Sequence, residues 1–168
     1  MDREVELREF VSARGPALSR AAYLLTGDHQ AAEDLVQDTY VTLVRRWQKS
    51  GTLDPEAYVR RILYSRFVDG WRRRRLSELP WASPPDTAGG DEMGTSTDRL
   101  TLKRALARLT PRQRAVLVLR FYEDLTEAQA ATALGISVNT VKSQSRVALQ
   151  RLRELAPDMV AAFEGVES

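Results

Sequence analysis

Between Pro80 and Gly94 the chain has no apolar period from which an element could be built. Pro80, Pro84 and Pro85 are followed by Gly89, Gly90 and Gly94, a composition that reads as a linker. It divides 168 residues into two short halves. Halves of this size bury a modest share of their surface, so each must be compact and mostly helical. The expected fold class is all-α: two small helical domains, 1–76 and 99–168, joined by a flexible acidic linker, 77–98. Helix signals fill both halves. Before the linker they predict helices over about 3–14, 16–26, 29–48 and 55–75, with Gly15-Pro16 breaking the first pair. Gly27 suits a C-cap, Asp28 an N-cap and Pro55 a first turn. After it come about 98–109, 111–122, 127–134 and 138–155. Thr110-Pro111-Arg112-Gln113 and Thr126-Glu127-Ala128-Gln129 fit capping boxes, and Pro157 stops the last helix.

Composition removes several function classes. With no cysteine there is no disulfide, thiolate zinc site or cysteine nucleophile. A single histidine, His29, excludes any metal site or triad that needs two imidazoles, and it suits a surface or structural role. Neither a catalytic residue, a metal nor a cofactor is expected. No apolar run approaches the ~20 residues of a membrane span, and Met1-Asp2-Arg3-Glu4 is no signal peptide, so the expected location is cytoplasmic. The net charge of +2 conceals a pattern: +3 over residues 1–76, −5 over 77–98 and +4 over 99–168. Two basic blocks around an acidic spacer suit a polyanionic partner, and a charge-mixed solvated surface fits nearly as well. The same distribution would permit the two ends to close on one another.

Residues 127–145 carry the strongest local pattern, a helix-turn-helix in the second domain. Ala130 and Ala131 let two helices approach, Gly135 supplies a left-handed turn, Ile136 fills the gap, and Ser137 caps the second helix. At 100° per residue Val138, Val141, Ala148, Leu149 and Leu152 fall on a buried face. Asn139, Thr140, Lys142, Ser143, Arg146 and Gln150 are left on the open side. Short polar groups and two cations at a helix start suit the DNA major groove, Lys142 and Arg146 toward phosphate or guanine, Asn139 and Ser143 near base edges. An ordinary αα-hairpin with a polar face is the competing reading. Arg112, Arg114 and Arg120 on the preceding helix could touch phosphates. In the first half, Asp34, Gln37 and Asp38 share one helix face, suiting a basic partner surface or simply solvent. Helix 55–75 interleaves Tyr58, Tyr64 and Trp71 with Arg60, Arg61, Arg66 and Arg72–Arg75. Rings and guanidinium groups in that order can hold an unstacked single strand, although Tyr58 and Trp71 should be partly core.

Taken in order, these parts resemble an extracytoplasmic-function sigma factor, the minimal promoter-specificity subunit of bacterial RNA polymerase. Asp34-Leu35-Val36-Gln37-Asp38-Thr39, Leu109-Thr110-Pro111-Arg112-Gln113-Arg114 and Asn139-Thr140-Val141-Lys142-Ser143 carry the resemblance, which spans residues 5–155. It implies that Asp34, Gln37 and Asp38 dock on the β′ coiled-coil of core polymerase, with the β flap as a second contact. Lys49, Ser50, Tyr58, Arg61, Ser65 and Arg72 then capture the melted −10 element. Ser137, Asn139, Thr140, Lys142, Ser143 and Arg146, with Arg112 and Arg120, read the −35 duplex. The acidic spacer would follow the path of nascent RNA. The implied partners are core polymerase, promoter DNA and, in many members, an anti-sigma factor, at the nucleoid. Gln144 and Val147 stand where many members have arginine, Asp38 replaces a commoner glutamate, and Ala31-Ala32 lack the usual aspartate. A dimeric free-standing repressor and a recombinase or nuclease are the alternatives. Nothing here supplies a dimerisation helix or a nucleophile or metal cluster.

Overall fold

The computed structural model describes residues 2–47, 54–76 and 97–158, with side chains for 2–47, 54–70 and 101–158. These residues form helices α1 (Arg3–Thr26), α2 (His29–Trp47), α3 (Pro55–Leu76), α4 (Thr97–Ala107), α5 (Pro111–Leu117), α6 (Glu127–Leu134) and α7 (Val138–Leu155), and a π-helical turn, Val118–Tyr122, extends α5. The all-α expectation holds, with no strand among the described residues. The linker lies almost wholly outside them.

One boundary differs. Gly15-Pro16 does not break the first helix, which runs unbroken through both residues. An internal proline removes a hydrogen bond and costs about 3 kcal/mol. Pro16 and Ser12, whose carbonyl loses that partner, are both exposed, so water can stand in for the missing N–H. Leu18, Ala21, Ala22 and Leu25 beyond it are buried, and Leu7, Phe10 and Val11 before it pack on the same core. Burial at about 1.5–3 kcal/mol per large apolar side chain outweighs the loss. Gly15 answers to a neighbour instead: a Cβ there would stand 3.2 Å from the Tyr40 hydroxyl on α2.

The expected caps are in place. Gly27 is left-handed, φ 71°, and its N–H returns to the Tyr23 carbonyl. Asp28 accepts from the Ala31 N–H at 2.9 Å, and Asp54 caps α3 through the Ala57 N–H at 3.1 Å. Thr110 with Gln113 and Thr126 with Gln129 both close reciprocal capping boxes. His29 stacks on Tyr23 with centroids 4.4 Å apart, a structural role. Trp47 anchors the far end of α2 by donating to the Arg3 carbonyl at 3.1 Å.

The two lobes are closed on one another. A single apolar core runs from Leu25, Leu43, Leu63 and Phe67 of the first lobe into Val116, Leu119, Ala130, Ala131 and Val141 of the second. Helix α6, with Ala130, Ala131 and Ala133 buried, lies against both α7 and α3, so its small residues allow close approach on two sides. A second cluster, Leu106, Leu109, Leu117, Leu149 and Leu152 among its members, belongs to α4, α5 and α7. The closure the charge pattern would permit is therefore built, among the described residues, on apolar packing.

Arg114 tightens this seam. The sequence offered it as a phosphate contact, but it is 4% exposed. Its guanidinium donates to the Leu25 carbonyl in the last turn of α1, and to the Ala107 and Leu109 carbonyls at the end of α4, at 3.3 and 3.4 Å. It also lies over the Phe67 ring of α3. Helix ends carry unpaired carbonyls and partial negative charge. The last turn of α1 has no basic residue of its own, and the cation that meets it comes from the other lobe.

Candidate nucleic-acid interface

The helix-turn-helix is assembled as its sequence requires. Gly135 closes α6 in the left-handed conformation, φ 65°, and its N–H reaches the Thr132 carbonyl. Ile136, half-buried, packs against the core between the helices. Ser137 caps α7 by accepting the Thr140 N–H at 3.1 Å. Space around Gly135 is open, so Gly135→Ala strains only the backbone. The expected cost is about 1–2 kcal/mol, read as a lower urea midpoint with an unchanged slope.

Val141, Ala148, Leu149 and Leu152 of α7 face inward, as the periodicity predicted. Val138 does not: it is 38% exposed, because the first residue of a capped helix projects past the helix it packs on. Asn139, Lys142, Arg146 and Gln150 are exposed and Thr140 and Ser143 half-buried, with the Ser143 hydroxyl turned back to the Thr140 carbonyl. Arg112 is half-buried. Arg120 is half-buried as well, donating to the Leu125 carbonyl and lying over Phe121, so its reach is shorter than the sequence suggests.

On the first lobe Asp34, Gln37 and Asp38 are all exposed on α2, and Gln30 donates to the Asp34 carboxylate at 3.0 Å. The sequence reading missed Val41 and Val44, 50% and 41% exposed, which extend the same face by two turns. Their signal was the helical repeat itself, since 41 lies seven residues after 34. On α3, Arg61 is exposed and Ser65 half-buried. Tyr58 is half-buried with Arg46 over its ring at 5.8 Å. Lys49, Ser50 and the side chains of Trp71 and Arg72 lie outside the described residues.

The adjoining side of α3 is occupied. The π-helical turn and Asp124, left-handed at φ 54°, bring Tyr122 and Glu123 against the first lobe. One Glu123 carboxylate oxygen takes the Arg60 Nε–H at 3.4 Å and the other takes the Tyr64 hydroxyl. Arg20 donates to the Tyr122 hydroxyl at 3.0 Å. Tyr64 is fully buried, and burial, reinforced by the Glu123 charge, holds its phenol well above the ordinary range, so it remains a donor.

Residues 10–76 match the Sigma-70 region 2 family and residues 105–154 match Sigma-70, region 4. The RNA polymerase sigma-E factor of Streptomyces avermitilis is 39% identical over 153 residues, 89% of this chain and 84% of that protein. The chain is an extracytoplasmic-function sigma factor. The sigma factor SigL of Mycobacterium tuberculosis is 33% identical over 156 residues, covering 88% and 86% of the two chains. Among solved structures, the sigma factor RpoE of Bartonella quintana, crystallised with the anti-sigma factor NepR, superposes with a TM-score of 0.76 at 26% identity, over 91% of this chain and 98% of that one. As a sigma factor, this protein serves promoter-specific transcription initiation with core RNA polymerase. Among the described residues no helix is long and apolar enough to cross a membrane, and no group of three or more acidic or histidine side chains could hold a metal ion.

Proposed function

We propose that the two lobes divide the work of promoter opening, with boundaries at 1–76 and 99–168 and the acidic segment 77–98 between them. The α2 face of Asp34, Gln37 and Asp38, continued by Val41 and Val44, docks on the β′ coiled-coil, and the second lobe meets the β flap. Acceptors beside exposed valines suit a partner that is basic and partly apolar. Tyr58, Arg61 and Ser65, with Lys49, Ser50 and Arg72, take the melted −10 strand by stacking and phosphate contacts. The start of α7 reads the −35 duplex: Ser137, Asn139, Thr140 and Ser143 bring short polar groups, Lys142 and Arg146 the cations, and Arg112 and Arg120 flanking phosphate contacts. The protein performs no covalent chemistry. Strand opening is driven by binding energy for extruded bases. It works at the nucleoid, in the cytoplasm, and an anti-sigma factor of the kind seen with RpoE is a further partner.

The observation that carries this reading is the exposure of Asn139, Lys142 and Arg146 on a capped α7 whose other face is buried. Run-off transcription with purified core polymerase and genomic fragments tests it: discrete transcripts must depend on this protein, and their absence overturns the assignment. Lys142→Ala with Arg146→Ala removes two phosphate-reaching cations. Promoter binding by the holoenzyme should then lose about 1.8 from its logarithmic salt slope.

A further inference from the structure

We infer that Arg60 and Tyr64 form an anion site on α3 for a phosphate of the melted promoter strand, and that Glu123 occupies it while the lobes are closed. This rests on the assignment of α3 to the −10 strand. The two donors stand one helical turn apart and converge on a single carboxylate, one on each oxygen. The Arg60 and Glu123 side chains are only 16% and 14% exposed, so the pair is little screened by solvent. A carboxylate held by a guanidinium and a hydroxyl presents two oxygens much as a phosphate does. Its owner is not a neighbour on α3 but a residue 59 positions from Tyr64, delivered by the second lobe.

That lobe has to leave. The −35 and −10 elements are about 25 base pairs apart by their names, which at ~3.4 Å per pair is about 85 Å of duplex. A folded chain of this length is roughly 40 Å across, so the closed protein cannot put α7 on one element and α3 on the other. Parting the lobes withdraws Glu123 and leaves Arg60 and Tyr64 on the helix that meets the single strand. Tyr64 stands three residues after Arg61 on the same helix, so the phosphate site adjoins the face already assigned to the −10 element.

The test uses the full chain and a fluorescent single-stranded dT20, without polymerase. Glu123→Gln should bind the oligonucleotide about tenfold more tightly than wild type, the factor one charge-assisted hydrogen bond carries. Adding Tyr64→Phe, which changes no charge, should abolish that gain, and so should adding Arg60→Gln. Labels at Arg8→Cys and Arg151→Cys, clean because the chain has no cysteine, should report a longer separation in Glu123→Lys. Unchanged affinity in both Glu123→Gln and Glu123→Lys overturns the inference. So does a gain that survives Tyr64→Phe, since it would then be general electrostatics. Wild-type run-off transcription runs alongside: if it succeeds while the oligonucleotide results fail, only the masked site is lost. If it fails, the sigma-factor assignment of α3 goes with it.

Discussion

Arg114→Ala should destabilise the folded chain by about 2–4 kcal/mol, because three carbonyls lose a charged donor while the cost of burying that charge is recovered. Two of these carbonyls close α1 and α4, and the guanidinium that serves them is buried over the Phe67 ring. Arg114→Met keeps the apolar stem and separates the two contributions: it should recover packing but not the hydrogen bonds. Burial pulls the guanidinium well below its ordinary range, to about 10. Above about pH 10 the unfolded chain therefore holds more protons than the folded one, and this group's contribution to stability rises with pH only in that alkaline range. The deficit of Arg114→Ala should accordingly be flat from about pH 6 to 9, as chemical denaturation across that range will show.

The second large effect is on assembly. Asp34→Lys combined with Gln37→Ala should eliminate co-purification with core polymerase and, with it, run-off transcription. Both side chains are exposed, and the adjoining inward positions Leu35 and Val36 are untouched, so the helical circular-dichroism signal and thermal midpoint should stay near wild type. Exposed substitutions away from caps and cores usually move stability by about 0.5 kcal/mol or less. Retained co-purification would withdraw the docking role from α2. Val41→Asp on the same face provides a milder version through its apolar part, with partial loss expected.

Much of each lobe was legible because its signals are local. Asp28, Thr110, Thr126 and Ser137 act on backbone groups within three residues, and Gly27 and Gly135 answer to one dihedral each. The exposed side of α7 followed from periodicity alone. What was not legible depends on residues distant in sequence. Pro16 reads as a breaker until α2 and the core behind it are present to hold both halves of α1. Arg114 looks like any surface arginine in a basic helix, and only the positions of the α1 and α4 termini turn it inward. Arg60 and Tyr64 read as one more cation and ring in a helix that holds a strand, and nothing in their sequence neighbourhood announces Glu123. Periodicity places Val138 inward because it takes no account of where the packing partner ends, and the residue is exposed.

The continuous core across the two lobes has a consequence for how the protein is kept between uses. Separation bares the alanine-rich flank of α6 and the groove on α3 that received it, an apolar strip of the sort that draws unfolded and partly folded chains into aggregates. A polypeptide waiting for its enzyme is safest shut. Overproduced without enough polymerase to receive it, wild type should remain dispersed in the cell, whereas variants that spring the seam should accumulate in inclusion bodies although each half keeps its helices.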